Sequence, residues 1–550
     1  MDLDSDYTTS SARRIVKTNH NACTWRSRMY RKRPRQQLTF DFGLPFGGKL
    51  RKDNRWVILA DLIPWDEIED QYATLFEGSD TGGEGKPCRV ALGALIIKER
   101  LGITDRETVE QISENPYLQY FLGFFAYKDE DPFHHTSMVH FRKRFTRERL
   151  AEINEQILAK KLSQARKQAM SSQAESFAQD EGSDSKQDAF DDAPSDGTSN
   201  SGKLIIDATC TPADITFPTD LKLLNEAREK TEEIIDCMHR PFIGQRRKPR
   251  TYRQKARKDY LALAKQKKRT KNALRKGIRK QLNYVKRNLK TIDKMASKGL
   301  LKLLDRRLYR LVLVCHEVYR QQRWMYEHRS HRIENRLVSL YQPHVRPIVR
   351  GKPQSPAEFG AKISVSLVDG LSFVDTLSWE AYNETGDLKA QVESYRQRFG
   401  HYPESVHADQ IYRTRDNRRY CQKNHIRLSG PPLGRPPKQT DQNKKELQAL
   451  KRQRREDERY RNGIEGKFGQ GKRRFTLNRI MAKLAETSEA VIMVSFIVMN
   501  LEKLLRDVFL SLFDIVTAVW LAPCQRCWGL RPYSLIMTRR AMGCTSAVAW

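Results

Sequence analysis

Nine cysteines in 550 residues are too few and too scattered for a disulfide framework, and only Cys524 and Cys527 form a C-x-x-C pair. That usage excludes the cysteine-dense secreted scaffolds and fits a reducing, cytoplasmic compartment. A lone pair in the tail is better explained by chance than by zinc, and His134-His135 have no cysteine at ligand spacing. Long apolar runs are also missing. Val491–Met499 is short and Val508–Ala522 is broken by Asp514, so neither reaches the roughly 20 residues of a spanning helix, and no membrane partner is expected. The first residues carry Asp2, Asp4 and Asp6 without an apolar segment, so no secretory leader is expected. No G-x-x-x-x-G-K-[ST] stands near Gly466, Gly469 and Gly471, which removes ATP use from the candidates. Acid is scarce relative to base: 67 Asp and Glu face 100 Lys and Arg, a formal charge of +33. Such an excess points to a polyanion, with nucleic acid ahead of an anionic membrane face, and a merely basic solvated surface is the plain alternative.

What is present divides the chain into blocks. Residues 1–37 are polar and basic, with a cationic run from Arg26 to Arg35, and form either a mobile arm on phosphates or a solvated leader. Residues 38–165 suggest an all-α N-terminal domain. Within it, Val90–Leu101 is an apolar helix ending at Gly102, and Thr104 with Glu107 makes a capping box for the next helix through Val109 and Ile112. Helix, glycine turn and capped helix is the helix-turn-helix pattern, open to a DNA-reading role or to plain packing. A third helix is expected near Thr136–Phe145. Residues 166–202 are expected to be an acidic disordered linker, because Ser171–Asn200 holds eight acids against Lys186 alone.

Residues 203–510 have the signature of a mixed α/β domain. Leu204–Thr209 is a buried strand that delivers Asp207. A helical insertion at about 221–345 follows, and within it Thr251–Lys290 holds sixteen Lys or Arg and one acid, Asp259. That helix is either a solvated basic face or a phosphate contact. Two β runs meet at Asp369-Gly370, a hairpin signal. Asp387–Phe399 is helical, Ser405–Asp409 is a second strand ending in an acid, Arg413–Asn424 is helical, Ile426–Ser429 is a strand, and Lys444–Phe475 is a charged helix interrupted by glycines. Glu486–Leu505 is an apolar helix expected under the sheet. Residues 511–550, with three tryptophans at 520, 528 and 550, make an atypical tail.

This order of strand-Asp, hairpin, helix, strand-Asp, helix, strand and helix-Glu is that of a ribonuclease H-like catalytic domain. Adjacent strand ends would bring Asp207 and Asp409 together, and the late helix would add Glu465. Phosphodiester chemistry uses two hard divalent cations roughly 3.5–4 Å apart, and a few carboxylates suffice to hold Mg²⁺. Arg461, Glu465 and Lys472 share one stripe of that helix. Each acid alone is an ordinary surface carboxylate; order and context single them out.

Four stretches carry a family likeness. They are Thr136–Arg144, the block Leu204–Thr209 with Phe217–Asp220 and Leu223–Asn225, the block Ala408–Arg413 with Asn417, and Arg461…Glu465…Lys472. The chain resembles the bacterial insertion-sequence DDE transposases that have an InsH-type N-terminal domain. The last stretch matches that family's Y-x2-R-x3-E-x6-K pattern except at the Tyr, where Glu458 stands, a rival third acid. Glu465 is preferred because only it has Arg four residues before and Lys seven after. The resemblance implies a metal-dependent nuclease and strand transferase that cuts DNA at its element's inverted repeats. Water would attack the phosphate at each element end, and the freed 3′-hydroxyl would join target DNA. It implies Asp207, Asp409 and Glu465 as catalytic metal ligands for two Mg²⁺ ions, with Mn²⁺ as a substitute. It implies Arg461, Lys472, Arg413 and Arg473 on DNA phosphates, with Tyr412 either positioning a phosphate or filling the core. A homodimer on double-stranded DNA and a bacterial, nucleoid-associated location follow from the same likeness. The alternatives are a catalytically inactive DNA-binding derivative and a host nuclease on the same fold.

Overall fold

The computed structural model describes residues 42–44, 48–76, 85–179, 200–352, 355–431, 440 and 443–527. The expectations for the arm, residues 1–37, and for the tail beyond 527 lie outside these residues, as does most of the acidic stretch.

The chain opens with helices α1 (Arg55–Leu62), α2 (Trp65–Ala73), α3 (Cys88–Leu101), α4 (Asp105–Glu114), α5 (Pro116–Phe121), α6 (Ser137–Arg144) and α7 (Arg147–Gln179). α3 is apolar nearly all round and so becomes the centre of this group, with Val90, Leu92, Ala94, Leu95, Ile96 and Ile97 all buried. It stops at Gly102, whose left-handed φ of 69° an L side chain resists. Thr104 then caps α4 by accepting from the Glu107 N–H at 3.2 Å. The helix pair is therefore present as expected, with α3 buried in packing. α3 has no free face to enter a groove, and α4 turns Arg106, Glu110 and Glu114 outward, one cation against two acids. α7 differs from expectation too: its helix runs on through residues 166–179, into the stretch expected to be linker.

Strand β1 (Lys203–Pro212) is followed by the insertion, α8 (Asp220–His239), α9 (Arg253–Ala264), α10 (Lys271–Ala296) and α11 (Arg306–Glu327). β2 (Arg346–Lys352), β3 (Ser355–Val368) and β4 (Leu371–Ser378) come next, then α12 (Asp387–Phe399), β5 (Ser405–His407), α13 (Arg415–Lys423) and β6 (Arg427–Leu428). α14 (Lys444–Arg474) and α15 (Ala485–Cys527) finish the described chain. The strands form one mixed sheet in the order β2-β3-β1-β5-β6, with β4 also on β3. β3 runs antiparallel to β1, β2 and β4, whereas β5 runs parallel to β1 and to β6. The β3–β4 turn is the expected one: Asp369 and Gly370 both take positive φ, 50° and 81°, as a two-residue hairpin requires.

Two large apolar cores and one small cluster around Ala213, Val338 and Val345 result among the described residues. One unites α1–α7 with the sheet, α12 and α15, from Leu59 and Ile96 through Ile206 and Val365 to Ile497 and Leu501. α15 is wedged between the N-terminal helices and β4. It continues past Leu505, where the expected helix ended. The other core belongs to the insertion alone, with Leu224, Ile234, Ile235, Leu289, Ile292 and Val318 at its centre. α10 is strongly amphipathic: Leu282, Val285, Leu289 and Ile292 point inward while Lys276, Arg279, Lys286, Arg287 and Lys290 stay exposed. α14 is one continuous helix in spite of Gly463, Gly466, Gly469 and Gly471, because its Ile464 and Phe468 are anchored in the first core.

Candidate active site

The parallel pairing of β1 with β5 fixes the centre of the site. Lys203 lies opposite Ser405, Leu204 opposite Val406 and Ile205 opposite His407. Each pair is 202 positions apart, and 409 − 207 is also 202. The two strand-borne acids are thus level at neighbouring strand ends, which is how a parallel register delivers two side chains to one place. Asp207 is half-buried. Burial pushes its carboxyl up to about 6, with the Glu384 and Asp409 carboxylates adding to the rise while the Ala208 N–H and Arg461 oppose it. The Ala208 N–H donates to Asp207 Oδ1 at 2.8 Å. Asp409 stands just past β5, where its Oδ1 accepts from the Gln410 N–H at 2.7 Å and caps a short turn through Tyr412.

α14 crosses this strand end and packs on β1 and β5. Its Arg461 reaches both ways. Nη1 lies 4.0 Å from Asp409 Oδ1 and 3.6 Å from Glu465 Oε1. Glu465 thereby joins the strand acids through a guanidinium rather than by direct approach. Among the described residues no three His, Cys, Asp or Glu side chains are gathered closely enough to hold an ion. Glu458, the rival acid, is exposed nearly two turns earlier on α14. Lys472 and Arg473 occupy the last turn of α14, half-buried and exposed respectively.

Two expected DNA-contacting residues are placed otherwise. Tyr412 is fully buried, and burial together with the Glu384 and Asp207 carboxylates drives its hydroxyl far up. It is the apolar floor beneath the acids and presents no face to a phosphate. Arg413 spends its guanidinium on protein carbonyls, donating to Ser429 O at 2.5 Å and Pro431 O at 2.7 Å. It ties the end of β6 to the turn after Asp409.

Glu384 escaped the sequence analysis. It belongs to a short turn before α12, pairs with Lys362 at 2.8 Å and bears electrostatically on Asp207. Buried Asn417 holds this turn against the second acid's, donating to Thr385 O and to Tyr412 O, both at 2.8 Å. Nothing in the spacing of Glu384 marks it; only the fold of the β4–α12 connection brings it to the site.

Residues 406–502 match the family model described as transposase DDE domain, and residues 45–144 match the transposase domain DUF772. Both matched models describe transposase domains. The DDE match spans Asp409, Arg461, Glu465 and Lys472, with Asp207 before it. The DUF772 match spans α1–α6. A stretch of 97 residues is 31% identical to a Rhizobium meliloti protein described as uncharacterized protein ORF8 in the nfe locus, covering 18% of this chain and 46% of that relative. The chain thus spans about half the length of the relative it matches. No solved structure matches. Among the described residues no helix is long and apolar enough to cross a membrane.

Proposed function

We propose that this chain is an insertion-sequence transposase that cuts duplex DNA at its element's inverted repeats and joins the 3′ ends to target DNA. The observation that carries the proposal is the register of β1 against β5, which levels Asp207 with Asp409 beneath α14. The strand order β4-β3-β1-β5-β6, antiparallel on one side of β1 and parallel on the other, supports a ribonuclease H-like catalytic domain. The donors are all carboxylate oxygens, the chemistry that Mg²⁺ and Mn²⁺ take. An acid raised to about 6 by burial beside other carboxylates is a place where a cation relieves strain. Asp207, Asp409 and Glu465 would hold two divalent ions, which supply Lewis acidity at the scissile phosphate. Arg461 keeps Asp409 and Glu465 within reach of one another, and Lys472 and Arg473 supply cations at the end of the same helix for flanking phosphates. Residues 203–510 form the catalytic unit, working as a homodimer that brings two DNA ends together in the bacterial cytoplasm at the nucleoid.

The single feature favouring a DNA-binding derivative without catalysis is the indirect attachment of Glu465. One experiment separates the readings. A duplex bearing the element's ends is incubated with the full chain and Mg²⁺ or Mn²⁺, and nicked and joined products are followed. Asp207→Asn and Asp409→Asn are each expected to lower cleavage by more than about 100-fold, beyond what losing an outer-shell partner of a metal costs, with end binding unchanged. Specific binding by the wild-type chain without nicking would overturn the enzyme. Cutting without end preference or joined product would make it a general nuclease.

A further inference from the structure

The side of α14 turned away from Glu465 faces a cavity of about 500 Å³. Its lining from α14 includes Arg459, Tyr460, Gly463, Gly466, Lys467 and Gln470, spaced at three and four residues as one helical face. Arg461, Glu465 and Lys472 fall on the other face by the same count. β1 contributes Lys203, the β3–β4 turn contributes Asp369, and α15 contributes Lys503 and Arg506. Five cations therefore converge on a space that holds one carboxylate. Asp507 at the margin takes some of that charge, accepting from Lys503 at 2.5 Å and also from Lys161.

Such a gathering is unfavourable on its own. Burial, with Arg506 and Lys503 nearby, pushes the Lys467 ammonium down to about 8, and Lys467 is oriented by donating to Gly370 O at 3.0 Å. Lys203 stands 3.9 Å above the Tyr460 ring, so an aromatic face already anchors one cation at the entrance. Gly463 and Gly466 leave the space open, since a Cβ at Gly466 would meet nothing within 4 Å and one at Gly463 only Leu367 Cδ2 at 3.7 Å. Cations from three separate elements, lining a space that a single carboxylate shares, are complementary to a multiply charged anion.

We propose that this cavity binds phosphate groups of a DNA strand, as a contact surface distinct from the acids on the other face of α14. The proposal rests on the transposase assignment only for taking DNA as the phosphate source. The test uses the full chain in EDTA, so that it measures binding and stands whether or not the acids cleave. Affinity for a fluorescein-labelled duplex is followed against salt for wild type, for Lys503→Gln/Arg506→Gln and for Gly466→Met. Gly466→Met fills the cavity without removing a charge. Circular dichroism and melting confirm that each variant is folded. The charge variant is expected to lose about tenfold in affinity, with a salt slope flatter by about two. The filled variant is expected to lose at least threefold. Inorganic phosphate is titrated by calorimetry in parallel. Wild-type DNA affinity and slope in both variants would overturn the proposal. So would a phosphate heat that both variants lose while DNA binding stays unchanged, because the ligand would then be free phosphate.

Discussion

Arg461 touches two carboxylates at once, 4.0 Å from Asp409 and 3.6 Å from Glu465, and this supports the preference for Glu465 over Glu458 that the spacing of Arg461 and Lys472 suggests. Glu465→Gln is expected to lower end cleavage by more than about 100-fold, above the loss from removing an outer-shell partner of a metal. Glu458→Gln, at an exposed position, is expected to stay within about twofold, as surface changes usually do. The reverse order in side-by-side rates would transfer the role to Glu458. Away from the site, Glu69 on α2 has its carboxyl raised to about 7, mainly by burial, although the Cys88 and Arg89 N–H groups oppose the rise. A carboxyl raised on folding stabilises fully below its unfolded value, near 4.5, and that contribution disappears as pH climbs through about 7. Thermal melts should therefore show Glu69→Gln more stable than wild type at pH 8, by on the order of 3 kcal/mol at most, and level with it near pH 4. Equal melting at pH 8 would refute it. The placement of Asp207 on β1 and of Asp409 just past β5 was legible in the sequence because each closes a short apolar run. Glu384 was not, because a turn acid acquires its neighbours only from the path of the chain. Tyr412 stayed ambiguous in sequence since an aromatic beside a strand-end acid suits either a core or a ligand surface, and its burial decides for the core.

At the scale of elements, the β3–β4 hairpin, α3, α12 and the first two acid-bearing strands follow from local signals: positive-φ turns, a capping box and apolar runs. β2 was missed because Arg346-Pro347-Ile348-Val349-Arg350-Gly351-Lys352 is short and interrupted by polar residues. Its pairing with β3 is a tertiary fact. The lengths of α7 and α15 were also beyond the sequence, since neither composition nor periodicity placed their ends. What α15 does carry is a buried polar contact. Asn500 Oδ1 accepts from the Ser372 N–H and hydroxyl, both at 2.9 Å, while its Nδ2 donates to Ser372 O at 2.7 Å and to Asn154 Oδ1 at 2.9 Å. One side chain thereby joins α7, β4 and α15 inside the apolar core. Asn500→Ala strands several buried partners at once and should cost about 2–4 kcal/mol in urea unfolding. A loss below roughly 0.5 kcal/mol would mean that water replaces the amide.

Over the whole molecule, charge and hydrophobicity are partitioned differently. The N-terminal helices share their core with the sheet, whereas the insertion keeps one to itself and turns the cations of α10 outward. If those cations meet DNA phosphates, replacing Lys276, Arg279, Lys286 and Lys290 with Gln should weaken binding equally across unrelated duplexes and flatten the salt slope by up to about four. A changed sequence preference would show instead that the insertion contacts bases. Net charge announced a polyanion partner but did not locate the surface, because cations are spread along the whole chain.

The far end of α14 is moored to the N-terminal helices. Glu502 of α15 holds Arg100 of α3 at 2.6 Å and Arg474 at 3.8 Å, and the Thr476 hydroxyl donates to Glu99 of α3 at 2.6 Å. Glu465 lies nine residues from Arg474, a lever arm of about 13 Å along the helix axis. A tilt of about 5° at the mooring would swing the acid by roughly 1 Å, a displacement of the size that costs a catalyst about a hundredfold. If Glu465 is the third acid of the proposed site, any shift of the N-terminal helices would therefore re-aim it, and the two would be mechanically one adjustment.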